Sequence, residues 1–182
     1  MSHSITAGDL LIAAPMIKDQ RFQNSVILLT DHDAKGSVGL VLNRATEYMV
    51  NDLITPLNVE LTWDPHLFWG GPVAQDISFM LHSPEWSVDG YTRGLTNNWS
   101  VTQHWSMFVH LSDGDEPYHW RIFAGCCAWA PGQLDRELDR GAGSWLVLND
   151  PDVAQLLDLE DQDIWDRACS QVATQTTSGW LA

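Results

Sequence analysis

The chain has 182 residues, of which 45% are hydrophobic and 18% are charged, a balance typical of a folded globular domain rather than a disordered chain. A chain of this length buries about 70% of its unfolded surface around one core, so we expect a single domain over residues 1–182. Nine lysines and arginines stand against 24 aspartates and glutamates, which gives a net charge of −15. Because nucleic-acid binders neutralise phosphates with clustered lysine and arginine, this charge argues against direct DNA binding and against a transcription factor.

Neither a membrane span nor an export signal is indicated by the sequence. No window approaches the roughly 20 apolar residues that a span needs, and residues 1–15 lack the basic segment that opens a secretory signal. Three cysteines, of which Cys126 and Cys127 are adjacent, provide neither a disulfide framework nor zinc-ligand spacing. We therefore expect a protein of the reducing cytoplasm that has no membrane contact, metal or cofactor.

The first half of the chain predicts a β-hairpin. Two apolar runs flank residues 33–36, whose composition is that of a turn, so residues 25–43 are expected to form a hairpin with a four-residue connection. The predicted elements in chain order are a strand at 9–14, a loop or one helical turn at 18–24, strands at 25–32 and 37–43, a short helix within 48–57, and strands at 68–73 and 78–82.

The second half predicts strand–helix units. Val101, Trp105 and Phe108 follow the spacing of an amphipathic helix. The other predicted elements are a loop at 86–98, a strand at 119–124, a helix at 131–140, a strand at 144–148, and helices at 150–157 and 163–172. Because hairpins come first and strand–helix units follow, the order favours an α+β fold with a mixed, partly curled sheet.

The strand–helix junction at residues 125–138, GCCAWAPGQLDREL, concentrates small, aromatic and polar residues. Gly132 permits close backbone approach or a positive φ. Trp129 offers a face for stacking, Gln133 offers both a donor and an acceptor, and Glu137 lies one helical turn further on. Two interpretations stay open: these side chains form one wall of a site, or they belong to a capped helix that packs on the sheet.

The open end of the hairpin is a second candidate. Asn24 precedes its first strand, and Asn43 and Arg44 follow its second, so the three side chains are expected to converge. Arg44 has a planar fork suited to a carboxylate or a phosphate. Alternatively, the asparagines satisfy loop backbone and Arg44 pairs with a nearby acid.

Glycines and histidines complete the set of candidates. Gly70 and Gly71 form either a backbone nest for an anion or a tight turn that lets another strand pass closely. His82 is a candidate because its strand position would let it reach this turn, although a lone histidine is more often structural. No P-loop lysine, G-x-G-x-x-G or metal-binding histidine spacing occurs.

Four segments occur in a fixed order along the chain: GDLLIAAPMIKDQRFQNSVILLTDH (8–32), GSVGLVLNR (36–44), FWGGPV (68–73) and AWAPGQL (128–134). Together and at these spacings they resemble the AlgH/YqgE family of bacterial proteins. The resemblance implies an α+β fold in which helices surround a barrel-like, bifurcated β-sheet, and it implies a cytoplasmic protein. It implies no reaction, because the family is one of uncharacterised function. Cys126 and Cys127 depart from the family pattern, so no cysteine mechanism is implied either.

Two functional hypotheses follow. The first is a binding or regulatory protein that holds a small polar ligand or a protein partner in a groove between the hairpin end and the 129–137 junction. The alternative is a hydrolase-like enzyme that uses asparagine, arginine and glutamine side chains there. The sequence shows no recognisable activated nucleophile, so the binding or regulatory hypothesis is preferred over the hydrolase.

Overall fold

The computed structural model describes residues 5–96, 98–139 and 144–178, which form one ten-stranded sheet with five α-helices. The strands are β1 (Leu10–Ala13), β2 (Val26–Asp33), β3 (Gly36–Val41), β4 (Ala45–Met49), β5 (His66–Trp69), β6 (Val73–His82), β7 (Thr92–Gly94), β8 (Ser100–Thr102), β9 (Trp120–Trp129) and β10 (Trp145–Leu148). The helices are α1 (Val50–Ile54), α2 (Ser106–Ser112), α3 (Gln133–Asp139), α4 (Val153–Leu157) and α5 (Asp161–Ser178). Single 3-10 turns lie at Gln20–Phe22 and Thr55–Leu57.

Strand β9 is the branch point of the sheet. The main path runs β10-β1-β2-β3-β9-β6-β8-β7, while β4 and β5 lie off it. One edge of β9 pairs with β6, and the other edge pairs first with β5 and then with β3. All pairs are antiparallel except β5 with β9. The predicted α+β class with a curled, mixed sheet is thus confirmed.

Both faces of the sheet are buried, so its central strands are apolar on both sides. In β1, Leu10 and Ile12 face a core closed by α4 and α5, whereas Leu11 faces a second core closed by Leu134 of α3. The period of two in a strand produces this division. A third core lies between α1, α2 and the sheet, and it contains Met80.

The predicted hairpin is confirmed. Strands β2 and β3 pair antiparallel, with Ile27 opposite Val41. The connection is shorter than the predicted four residues, because pairing continues to Asp33 and Gly36 and leaves only Ala34 and Lys35 as the loop. The Asp33 carboxylate stabilises this loop by accepting the Lys35 N–H at 2.7 Å.

The helix predicted from the spacing of Val101, Trp105 and Phe108 is present, but it begins later than predicted. Val101 lies in β8, opposite Leu81 of β6 and Arg93 of β7, and α2 begins only at Ser106. The loop expected at 86–98 likewise contains β7. Neighbouring strands supply the pairing partners here, and a helical spacing of apolar residues carries no information about such distant partners.

The strand before the junction is longer than predicted. Strand β9 continues past residue 124 to Trp129, so the two cysteines are part of the sheet. Helix α3 begins at Gln133, two residues after Pro131, because Pro131 and Gly132 form a turn. The end of this predicted helix, Arg140, lies outside the described residues. Strand β4 was not predicted, and α5 contains the helix predicted at 163–172 but extends beyond both of its ends.

Two chain segments cross at close range beside β9. A Cβ added at Gly71 would lie 2.2 Å from the carbonyl carbon of Cys126, and one added at Gly70 would lie 2.2 Å from the oxygen of Gly125. Gly125 itself has a φ of +73°, which disfavours other residues. Gly70 and Gly71 therefore allow another strand to pass closely, which was one of the two interpretations of this pair.

Candidate functional site

A groove of about 760 Å³ opens at one end of the sheet. Its walls are the segment of residues 17–22 on one side and the β9–α3 junction with the start of β10 on the other. Its aromatic, charged and amide side chains include Lys18, Arg21, Phe22, Trp129, Gln133, Glu137 and Trp145. We call it the aromatic groove. Its volume lies within the range of small-molecule sites.

Three aromatic rings line the groove. The ring of Trp145 contacts Phe22 at a centroid distance of 5.7 Å and Trp129 at 6.1 Å, and both contacts are edge-to-face. Phe22 also lies 6.3 Å from Trp69, whose ring carries the Arg44 guanidinium 4.9 Å above its centroid. Edge-to-face contacts of this kind fix ring orientation and preorganise the wall.

The Glu137 carboxylate organises the polar side of the groove. Its Oε2 accepts the indole N–H of Trp145 at 2.9 Å and that of Trp129 at 3.2 Å. The Glu137 Oε1 accepts an N–H of the Gln133 side-chain amide at 2.9 Å, and the side-chain oxygen of Gln133 accepts the Ala130 N–H at 3.0 Å. The spacing of four residues on α3 makes this possible. Both interpretations of the junction thus describe the same side chains: they cap α3 and they line the groove.

Charged side chains lie at the mouth of the groove. Arg21 is 64% exposed and pairs with Asp19 at 2.7 Å. This pairing raises the pKa of Arg21 and lowers that of Asp19. Lys18 is exposed, and among the described residues no carboxylate pairs with it within 4.0 Å. The mouth therefore has a cation available for a ligand.

The hairpin-end residues support the groove from behind instead of lining it. Asn43 donates to the carbonyl of Asn24 at 2.8 Å and accepts the Val26 N–H at 3.0 Å. Arg44 donates to the carbonyls of Arg21 and Gln23. The structure thus brings the three candidates together, but around the backbone of the 20–25 loop that presents Phe22 and Arg21 to the groove. Burial lowers the pKa of Arg44.

Cys127 contributes to the floor of the groove as an apolar group. It is 2% exposed, and its thiol lies 3.6 Å from the carbonyl of Gly70. Burial, followed by the charge of Cys126, raises the pKa of Cys127. The thiol is therefore protonated at neutral pH and is not activated as a nucleophile.

The remaining candidates do not line the groove. Gly70 and Gly71 are packed on β9, and Gly132 adopts a φ of +66° in the turn before α3. The prediction that His82 reaches the glycine turn was wrong, because the turn precedes β6 and His82 ends it, ten residues along an extended strand. His82 is instead fully buried, with its ring bonded at 2.8 Å to Ser83 and to Thr102.

Sequence reasoning missed the outer wall of the groove. Lys18, Arg21 and Phe22 lie in a segment that was predicted only as a loop or helical turn. The lone phenylalanine among polar residues was a usable indication, because an aromatic side chain carries a large apolar area whose burial is favourable. Trp145 gave no local indication, since the pairing of β10 with β1 brings it to the groove.

Two further findings concern the described residues as a whole. Nowhere among them do three or more histidine, cysteine or carboxylate side chains form a group able to hold a metal ion. In the same part of the chain, no helix has both the length and the apolar character required to cross a membrane.

The fold and groove define the class of protein: an α+β protein whose curled, mostly antiparallel half-barrel is flanked by helices and carries an aromatic groove at one end. The chain belongs to the AlgH-like family, whose model matches residues 10–177. This confirms the resemblance found in the sequence.

Relatives and solved structures agree with this assignment. A UPF0301 protein of Vibrio atlanticus is 36% identical over 79% of this chain and 80% of its own length. A UPF0301 protein of Psychrobacter cryohalolentis is 30% identical over 94% and 92%. The solution structure of the AlgH protein from Pseudomonas aeruginosa matches with a TM-score of 0.78 at 26% identity, over 94% of this chain and 91% of that one. A Corynebacterium diphtheriae protein, 22% identical, shares the fold with a TM-score of 0.70 over 92% and 87%.

Proposed function

We propose that this protein is a cytoplasmic binding protein that holds a small organic molecule in the aromatic groove. The single observation behind this proposal is a cavity of about 760 Å³ whose walls combine three aromatic rings with side chains of both charges. Mostly apolar clefts with a few oriented polar groups are the usual form of small-molecule sites.

The arrangement of the walls favours a ligand with a planar ring and polar substituents. Phe22, Trp129 and Trp145 offer surfaces for the ring. Lys18 at the mouth is available to a carboxylate or phosphate substituent. Gln133 and Glu137 already bond to each other and to the indoles, so they act as a rigid polar edge. A wall that is ordered before binding costs less entropy when the ligand enters.

Cytoplasmic residence is supported by the three free cysteines, Cys126, Cys127 and Cys169. The hydrolase alternative gains no comparable support, because the groove cysteine is buried with a raised pKa and the carboxylate of Glu137 is occupied by three donors. We therefore propose binding without catalysis.

The proposal is tested with a library of planar metabolites in a thermal-shift screen. A true ligand stabilises the native state by mass action, by about 2.7 kcal/mol at one hundred times its Kd. The replacement Phe22→Ala removes one aromatic wall, so compounds that raise the Tm of the parent protein are expected to lose that effect.

A matched control is Ile77→Ala, which removes an apolar side chain that is 36% exposed and does not line the groove. Compounds that stabilise this control as they stabilise the parent protein support the groove. Stabilisation of Phe22→Ala by the same compounds to the same extent would contradict it.

A further inference from the structure

Arg121 is a largely buried cation outside the aromatic groove. Its side chain is 15% exposed, and its guanidinium lies 4.1 Å over the ring of Phe68. It donates to the carbonyl of Leu42 at 2.8 Å and, at longer range, to Leu157 at 3.3 Å and to Asp161 at 3.4 Å. A guanidinium has five N–H groups. Three acceptors among the described residues leave donor capacity for another group.

Two cavities meet at this side chain. One of about 430 Å³ and one of about 450 Å³ share His66, Phe68 and Arg121 in their linings. The first also contains Trp63, and we call it the Trp63 recess. Trp63 is 67% exposed, and its ring contacts Trp120 edge-on at 5.7 Å. A large aromatic ring is thus held at the opening of a cavity that has a guanidinium in its wall.

The charges around the two cavities differ. Glu160 and Asp161 line the second cavity beside Arg121, so they oppose an anion there. In the Trp63 recess the acid is Asp64, whose Oδ1 already accepts the Asn51 N–H at 2.8 Å. At physiological salt the rest of the chain's negative charge is screened beyond about 8 Å. Local groups therefore decide which ligand charge the recess accepts.

We propose that the Trp63 recess is a second ligand site, separate from the aromatic groove, which takes a planar aromatic molecule carrying a carboxylate. The ring lies against Trp63 and Trp120, and the carboxylate accepts from the spare N–H groups of Arg121. Guanidinium and carboxylate are matched in shape, and the contact strengthens where water is excluded.

The test compares three probes that share one ring: benzoate, benzamide and benzylamine. Each is titrated at pH 7 in 0.15 M NaCl, and the indole N–H resonances of Trp63 and Trp120 are followed by NMR. We expect saturable shifts with benzoate and at least about tenfold weaker binding of the neutral and cationic probes, because only benzoate forms a charge-assisted pair with Arg121.

Two variants locate the site. Trp63→Ala removes an exposed ring and leaves the cores intact, and it is expected to weaken benzoate at least about tenfold. Trp105→Ala is the matched control, because Trp105 is another exposed tryptophan, 59% accessible, that lines neither cavity. Arg121→Lys keeps the positive charge but lacks the planar guanidinium that donates to both oxygens of a carboxylate. It is expected to weaken the binding of benzoate and to leave the binding of benzamide unchanged.

Several results would overturn the proposal. Equal binding of benzoate and benzamide would show that Arg121 takes no part. Tighter binding of benzylamine would show that Asp64 governs the recess. No saturable shift of either indole, or the same benzoate affinity after Trp63→Ala, would show that no such site exists.

Discussion

At the scale of single residues, Glu137 connects the stability of α3 with the shape of the aromatic groove. One carboxylate accepts three side-chain donors, two of which are indoles on different strands, β9 and β10. Trp129 and Trp145 are mostly buried, so their N–H groups have little access to water as an alternative. A buried donor without an acceptor carries its full desolvation cost.

We expect Glu137→Ala to lower the free energy of unfolding by about 1–3 kcal/mol, because it leaves these donors unpaired. Urea denaturation at pH 7 measures the change. Asp139→Ala is the control, since Asp139 is exposed on the same helix and is expected to change stability by less than about 0.5 kcal/mol. Equal effects of the two replacements would refute the role assigned to Glu137.

His82 provides a prediction about pH. Burial lowers the pKa of His82 below its ordinary value of 6.5, even though Ser83 and Glu85 act in the opposite direction. The Ser83 carbonyl fixes the proton on Nδ1, and Nε2 accepts from Thr102. A second proton on Nε2 would turn this nitrogen from an acceptor into a donor, so the bond from Thr102 would have to reverse its direction.

Since the folded state binds this proton less readily than the unfolded state, the contribution of His82 to stability is constant above about pH 7. It is lost progressively as pH falls below 6.5 and through the lowered pKa of the folded state. We expect the free energy of unfolding to fall more steeply between pH 7 and pH 5 in the parent protein than in His82→Gln. The nearby pair of His110 and Asp115 is present in both proteins. Identical slopes would contradict this account.

At the scale of elements, the crossing of residues 70–71 over β9 holds the two halves of the sheet together. The Gly70 N–H donates to Ala124 at 2.9 Å, and the Val41 N–H donates to Gly70 at 2.9 Å, so this segment bridges β9 and β3. No side chain fits between the backbones at this distance. The FWGGPV segment is therefore explained by packing rather than by anion binding.

We expect Gly71→Ala to destabilise the protein by at least about 2 kcal/mol, because its Cβ would overlap the backbone of Cys126. Gly94→Ala is a matched control in a strand, where an added Cβ meets no atom within 4 Å, and it is expected to stay within about 0.5 kcal/mol. Thermal or urea unfolding distinguishes the two. A Gly71→Ala protein as stable as Gly94→Ala would show that the passage has room to adjust.

The elements also show which parts of the secondary structure a local sequence pattern can predict. The hairpin of β2 and β3 was predictable because its turn composition and apolar runs are local. Strands β7 and β8 were not predictable, because each has only three residues and is stabilised by pairing with a neighbouring strand. Val101 of β8 lies opposite Leu81 of β6 on one side and Arg93 of β7 on the other. The spacing from Val101 combined residues of two elements: Phe108 is buried in α2, whereas Val101 lies in β8 and Trp105 is exposed before the helix begins.

At the scale of the whole molecule, the charge of −15 sets the range of partners. Summed negative potential repels the phosphate backbone, and scattered arginines provide no basic surface to offset it. We expect no binding of a 30-base-pair duplex at 0.1 M salt in fluorescence anisotropy up to about 100 µM protein, where non-specific DNA binders associate. A Kd below that range with a steep dependence on salt would reverse this interpretation of the charge.

By itself, the sequence determined the α+β class, the hairpin, the closing helices, the family and the charge, because these depend on composition, short-range periodicity and segments read in order. The Trp129, Gln133 and Glu137 side of the groove was also predictable, since its residues lie within one junction. Only the tertiary structure supplied the opposite wall and separated His82 from the site. Those contacts join Phe22 to Trp145 and Arg44 to the 20–25 loop across many residues, and no local pattern encodes which distant strands pair.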